Sequence, residues 1–343
     1  MWTMNLEPDG STRFSPTRRG DVPTPGAAML TFGLDQSRAF VAASQETTVA
    51  AFEASFRQHR QFGQIMSPAV VLPALIAQTH TLRGIAGVAR PPMRARFLRL
   101  ASRYAEYVGW MTQEAGNDRA AMWWTDTAVD MAIAAGDVDL AAHSRVRHAL
   151  IALYQEDATQ TIGLAHRTQT DTKAPARIRG MAALREAQGH ALAGDERRCR
   201  ATLDHAEQLL DAASADGTDG MALGTTAVSA IGPMVTGWCL YDLGRPAQAA
   251  ETLDQEMARL PGTARRARAR FGARQALAHA AAGEIDHACA LSGDVLDIAE
   301  LVDSATIRYD LRRLARTLGR WQSHRMVREL QPRLTMALHA PVC

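Results

Sequence analysis

From about residue 44 onward, apolar side chains recur every three or four positions, the spacing of a single helix face. The pattern runs almost unbroken to the C-terminus. Ser67-Pro68 supplies a capping residue followed by proline at the first helical position, and Pro91-Pro92 stops one helix and starts the next. Further breaks fall at Gly116, Gly136-Asp137, Gln155-Glu156-Asp157, Ala174-Pro175, Gly194-Asp195, Gly244-Arg245-Pro246, Pro261-Gly262, Gly283-Glu284 and Gly319. A first helix is expected from Ser44 to about Phe62. Roughly fourteen helices with short connections follow from these breaks, which reads as helical hairpins in series and not as one bundle. Residues 1 to 35 carry Pro8, Pro16, Pro23 and Pro25 and read as a disordered or extended N-terminal arm, with a short strand around Ala27 to Leu34 as the alternative. Residues 36–343 form the repeat domain.

Four of the breaks share a local grammar: QEAGNDRAA, ALAGDERRC, YDLGRPAQA and AAAGEIDHA. With Gly116, Gly194, Gly244 and Gly283 as turns, the fifth residue after each is small: Ala121, Cys199, Ala249 and Ala288. The seventh before each is small as well: Gly109, Ala187, Gly237 and Ala276. Small side chains at both places let two antiparallel helices approach closely, because interaxial distance follows the side chains at the crossing. Asp157 fits as a fifth turn, with Ile162 and Leu150 at the same offsets. The turns are then 41, 37, 50 and 39 residues apart, longer than the ~34 of a strict tetratricopeptide repeat. The expected fold is all-α, a right-handed superhelical stack of tetratricopeptide-like helical hairpins.

Segments such as YAEYVGWMTQEAGNDRAAMWWTDTAVDMAIAAGD and YDLGRPAQAAETLDQEMARLPGTARRARARFGARQALAHAAAGEIDHACAL resemble the C-terminal region of actinobacterial transcription regulators. In that family an Xre-type helix-turn-helix domain precedes a tetratricopeptide-like sensor region. The likeness spans roughly residues 45 to 339, and no helix-turn-helix pattern fits residues 1 to 44. It therefore implies the sensor half without the DNA-binding head, and argues against direct DNA reading by this chain.

In such stacks the first helix of each hairpin lines the concave face. Counting back ten, nine, six and three residues from the turns marks the groove positions. They bring aromatics, Tyr107, Trp110, Tyr154, Trp238 and Tyr241, together with the cations Arg147, Arg185 and Arg274 and with His148 and Gln188. Aromatic rings give large contact area at low entropic cost, and arginine grips a carboxylate in bidentate fashion. The expected ligand is a short peptide or an acidic small-molecule effector.

Composition narrows the function further. Thirty-eight basic residues against thirty-six acidic ones do not make a general polyanion binder. The densest charge cluster is Arg265, Arg266, Arg268, Arg270 and Arg274, joined by Arg312, Arg313 and Arg316. It is expected to be a solvated helix face paired with Asp303 or Asp310. The cysteines, Cys199, Cys239, Cys289 and Cys343, are too scattered for a disulfide framework, and no run of eighteen apolar residues occurs. A cytoplasmic protein off the membrane is the expectation.

His143 and His148 stand five apart on one helix, on different faces. His190 and His279 occupy core positions of the repeat, with His287 and Cys289 packing near by. Neither HExxH, a phosphate-binding glycine loop nor a G-x-S-x-G elbow is present. No catalytic residue, metal or cofactor is therefore expected. The leading expectation is a regulatory ligand- or peptide-binding protein. The alternatives are a protein-protein interaction scaffold, with a protein partner or as a homodimer, and after it an enzyme with a site in the groove.

Overall fold

The computed structural model describes residues 2–6, 12–16, 29–32, 45–215, 223–224, 228 and 231–339, the first three segments by their backbone alone. Those segments are strands β1 (Trp2–Leu6), β2 (Thr12–Pro16) and β3 (Met29–Phe32). They form one antiparallel sheet in the order β2-β1-β3, with Met4 opposite Phe14 on one side and Leu30 on the other.

The rest of the described chain is helical. It begins with α1 (Gln45–Ile65), α2 (Pro68–Val88), α3 (Met93–Glu114), α4 (Asp118–Ala134), α5 (Asp139–Tyr154), α6 (Ala158–Gln169) and α7 (Ala176–Leu192). It continues with α8 (Glu196–Ala215), α9 (Ile231–Asp242), α10 (Pro246–Arg259), α11 (Arg265–Ala282), α12 (Ile285–Val302), α13 (Ala305–Leu318) and α14 (Arg325–His339). The expected all-α stack is thus present. None of the described helices is long and apolar enough to cross a membrane.

One backbone device repeats along the stack. Gly116, Gly136, Glu156, Gly194, Gly244 and Gly283 all have positive φ. The amide after each bonds back to the carbonyl five residues earlier, as in Asn117 N to Thr112 O, Asp195 N to His190 O and Glu284 N to His279 O, at 2.9–3.1 Å. This ends a helix by satisfying its last carbonyls while reversing the chain. At three of these turns the next residue also caps the following helix. The side chains of Asn117, Asp157 and Asp195 accept from the amides of Ala120, Gln160 and Arg198 at 2.8–3.0 Å. Such caps are worth about 1 kcal/mol each.

The fifth turn differs from its sequence reading by one residue. Asp157 is the cap of α6, and Glu156, with φ 60°, holds the left-handed place that glycine holds elsewhere. The equivalent small pair is therefore Ala149 and Thr161, not Leu150 and Ile162. Both are fully buried, and the Thr161 hydroxyl reaches the Ala149 carbonyl at 3.5 Å. The other units hold their offsets: Ala121, Ala187, Cys199, Ala249, Ala276 and Ala288 are all fully buried. A Cβ at Gly109 would sit 3.2 Å from the Ala121 carbonyl oxygen, and one at Gly237 would sit 2.6 Å from Leu253.

Helices α5, α7, α9, α11 and α13 pack side by side as an inner layer, and the even-numbered helices cover them. The two ends of the stack also meet, since α1 packs on α11 and α12, and α13 reaches α3. A buried ion pair joins them. Arg266 on α11 lies 3.0 Å from Glu114 on α3 and also donates to the carbonyls of Gly63, Met66 and Val302 at 2.6–2.8 Å. The hydroxyls of Ser304 and Thr306 complete the carboxylate's partners. Burial would raise the Glu114 carboxyl, but Arg266, Arg270 and the two hydroxyls outweigh it and hold it below its ordinary range.

Candidate functional site: an arginine-rich interior cavity

Because its ends meet, the concave side of the stack forms a deep, partly open cavity of about 1870 Å³. Its walls are α1, α3, α5, α7, α9 and α11, with one flank of α8. Exposed Arg57, Gln61, Arg200, Asp211 and Arg265 belong to its rim, whereas Glu106, Trp110, His143, Arg147 and Trp238 belong to its interior. Among the described residues, nine arginines and five acidic residues contribute to the lining, an excess of positive charge in a chain that is nearly neutral overall.

Five of the ten residues expected at the groove line this cavity: Tyr107, Trp110, Arg147, Arg185 and Trp238. One of the other five, His148, follows from the slipped fifth turn. Counted from Glu156 instead of Asp157, the groove positions are Val146, Arg147 and Leu150, which line the cavity, and Leu153, which like the other residues three before a turn does not. His148 instead faces Asp126, 3.4 Å away. Tyr154 packs between Trp238 and Tyr309.

Tyr241, Arg274 and Gln188 lie outside the lining for other reasons. Helix α13 crosses the turn-side ends of the inner helices, as the contacts of Tyr309 with Glu156 and of Arg313 with Asp242 show. Arg313 lies over Tyr241, 5.0 Å from its ring centroid. Arg274 stacks on Trp238 and lies 2.8 Å from Asp310, without a well-directed hydrogen bond between them. Burial raises Asp310 to about 6 against the opposing pull of Arg274, Arg270 and Arg313. Gln188 is fully buried and accepts from Arg185.

The arginine cluster of α11 also departs from expectation. Arg266 and Arg274 are only 2% exposed, and Arg270 lies among the rings of Tyr154, Trp238 and Phe271 at 5.5–5.8 Å. The Arg274–Asp310 pairing is as anticipated, but this face turns inward. Only Arg265, Arg312 and Arg316 of the group are exposed. A sequence with arginine at alternate positions looks solvated; what reverses it is the neighbouring α13, which supplies Asp310, and the meeting of the stack's ends, which supplies Glu114 from a helix far away in the chain.

Arg147 is 5% exposed, yet its Nε and one Nη have no hydrogen-bond partner. Its nearest carboxylate oxygen, Glu106 Oε1, is 3.8 Å from Nε. Arg185 Nε and Arg270 Nε are likewise buried without partners. Burial, Arg270 and Arg147 together push Arg185 down to about 9, and burial lowers Arg147 as well. A guanidinium keeps its proton at neutral pH, so this crowding stands as unfavourable energy that a bound anion would relieve.

His143 Nδ1 lies 3.9 Å from Glu106 Oε1 and has no hydrogen-bond partner. Burial lowers His143 to about 4, with Glu106 pulling the other way and Arg147, Arg103 and Arg177 adding to the drop. So weak a base is better suited to hydrogen-bonding a ligand than to abstracting a proton near neutral pH.

The first helix was missed as a wall. It precedes the first repeat turn and so has no offset to count from. A signal is nonetheless present: Arg57, Arg60, Gln61 and Gln64 form a polar stripe flanking the apolar stripe of Val49, Phe52 and Phe56. Arg60 donates to the Gly224 carbonyl at 2.5 Å, tying α1 to the segment between α8 and α9. Among the histidines, His190 and His279 are buried as expected. His287 is exposed, with its ring edge-on to His279, and not packed inside. Comparisons with known proteins add no relative to this picture, since no family model, curated protein or solved structure matches the chain.

Proposed function

We propose that this protein is a regulatory ligand-binding protein whose interior cavity takes an acidic ligand with an apolar body, either a short peptide or a small effector. The observation that carries this reading is Arg147, a buried cation on the cavity wall with two unpartnered nitrogens. Arg270 depresses Arg147, and Arg270 and Arg147 both depress Arg185. A carboxylate or phosphate between them would satisfy the orphaned N–H groups and remove the mutual repulsion. Trp110, Trp238 and Phe271 would take the apolar part. The likeness of the sequence to the sensor half of Xre-type regulators points the same way. Binding would draw α5, α7 and α11 together and shift the population of the stack toward a tighter state that a partner can read.

The test is thermal unfolding in the presence of a panel of short peptides and small mono- and dicarboxylates. Compounds that stabilise the wild type should lose their effect in R147M/R185M while neutral analogues stay inert in both. An equal response of the double variant would overturn the reading. A second reading, a scaffold without a small ligand, is favoured by Trp123, Met122 and Ile133, which α4 presents to solvent. Pull-downs with and without small-molecule extract separate the two, because only a sensor changes its partners.

A further inference from the structure

A second cluster lies away from the cavity, where α10, α11 and α12 meet. Asp254 on α10, His279 on α11 and His287 on α12 place one ligand-capable atom each within 4.8 Å of one another. The geometry points to a zinc-type divalent metal site built from these three residues, with a fourth position left for water.

His279 is the fixed member, buried at the crossing of the helices. Its Nδ1 lies 2.6 Å from Glu284 Oε2, and its Nε2 lies 2.9 Å from Asp254 Oδ1. A carboxylate on one imidazole nitrogen fixes the ring and presents the other nitrogen's lone pair to a metal. Glu284 is therefore the positioning residue, and Nε2 is the ligand atom. Gln275 donates to Asp254 Oδ1 at 2.6 Å, which steadies that carboxylate near the histidine. The rings of His279 and His287 stand perpendicular with centroids 4.4 Å apart, so one ion can reach a nitrogen of each.

Zinc bonds of about 2.0–2.2 Å in tetrahedral array put ligand atoms roughly 3.4 Å apart. The atoms of the three residues already lie within 4.8 Å of one another, and Asp254 and His287 are half-exposed and exposed, so their side chains have room to adjust toward that spacing. Two imidazoles with one carboxylate suit zinc and its transition-metal neighbours, whereas calcium and magnesium seek oxygen ligands. The bound ion would link α10, α11 and α12 at the end of the stack that carries α13 and α14.

Calorimetric titration of the full chain, stripped with EDTA, with zinc chloride tests the site, and Co2+ reports geometry through its visible absorption. One equivalent of zinc should bind, with the spectrum of four-coordinate Co2+ and a raised Tm. Saturable binding should vanish in H287A and D254A. E284Q should bind about 10–100-fold more weakly. H148A, whose histidine belongs to a separate ion pair, should bind as the wild type does. Far-UV circular dichroism confirms folding of each variant, and H287A alters an exposed side chain. Absence of saturable binding to the wild type, or one equivalent retained in both H287A and D254A, would overturn the proposal. Neither outcome bears on the cavity.

Discussion

His143 shows how a single buried side chain couples the cavity to pH. An unfolded histidine titrates near 6.5, and His143 in place titrates at about 4. Between these values the unfolded chain holds more protons than the folded one, so folding stability falls as pH drops from 6.5 toward 4. In H143Q that part of the slope should disappear, giving a shallower loss of denaturant midpoint across this window. An unchanged slope would mean that His143 is protonated or solvated in the native protein. At this scale the sequence was half legible. Tyr107, Trp110, Arg185 and Trp238 lie where the turn offsets put them, because a helix of fixed pitch carries its register for two or three turns. His148 does not, because one residue of slippage at Glu156 rotates the face by about 100°; Tyr154 and Tyr241, three residues before their turns, lie against α13 instead.

The helical hairpins were the most legible level. Their turns rest on local bonds that a short stretch of chain dictates: a left-handed residue, a 6→1 hydrogen bond and a capping side chain. Their crossings rest on small residues at fixed offsets. Gly109 and Gly293 make a controlled pair. A side chain at Gly109 would press on the Ala121 carbonyl and on Thr125, whereas at Gly293 nothing lies within 4 Å. Gly109→Val should cost about 1–3 kcal/mol of unfolding free energy through overpacking. Gly293→Ala should stabilise by about 0.5–1 kcal/mol, as expected where only backbone entropy changes. Equal effects at both sites in chemical denaturation would remove the close-approach argument. One break escaped the sequence and one turn was placed a residue late, for want of such signals. The break between α12 and α13 is made by Asp303, with φ 38°, and Ser304, with neither glycine nor proline to mark it. The fifth turn uses Glu156 where the other units use glycine.

Closure of the stack is a property of the whole molecule and was not legible at all. It depends on contacts between residues some 150 to 200 positions apart, such as Arg266 with Glu114 and with the Gly63 and Met66 carbonyls. Periodicity describes neighbours and has no term for where a curved stack ends. That omission explains why the α11 arginines looked solvated and why a concave groove was expected in place of a deep cavity. Arg266→Met should be strongly destabilising, by about 3–5 kcal/mol, since it leaves Glu114 buried without its cation. Amide exchange should rise first in α1 and α13. Protection that stays unchanged there would show that the ends are held by other contacts.

The central claim is that the enclosed arginines exist to hold an acid. Native mass spectrometry of the protein purified from its own cells addresses it directly, run beside R147M/R185M expressed there at equal level. The account predicts that the wild type carries an acidic molecule of discrete mass, released on denaturation, and that the folded double variant does not. A wild type that arrives empty and gains no stability from any carboxylate, or a variant that carries the same mass, would contradict it.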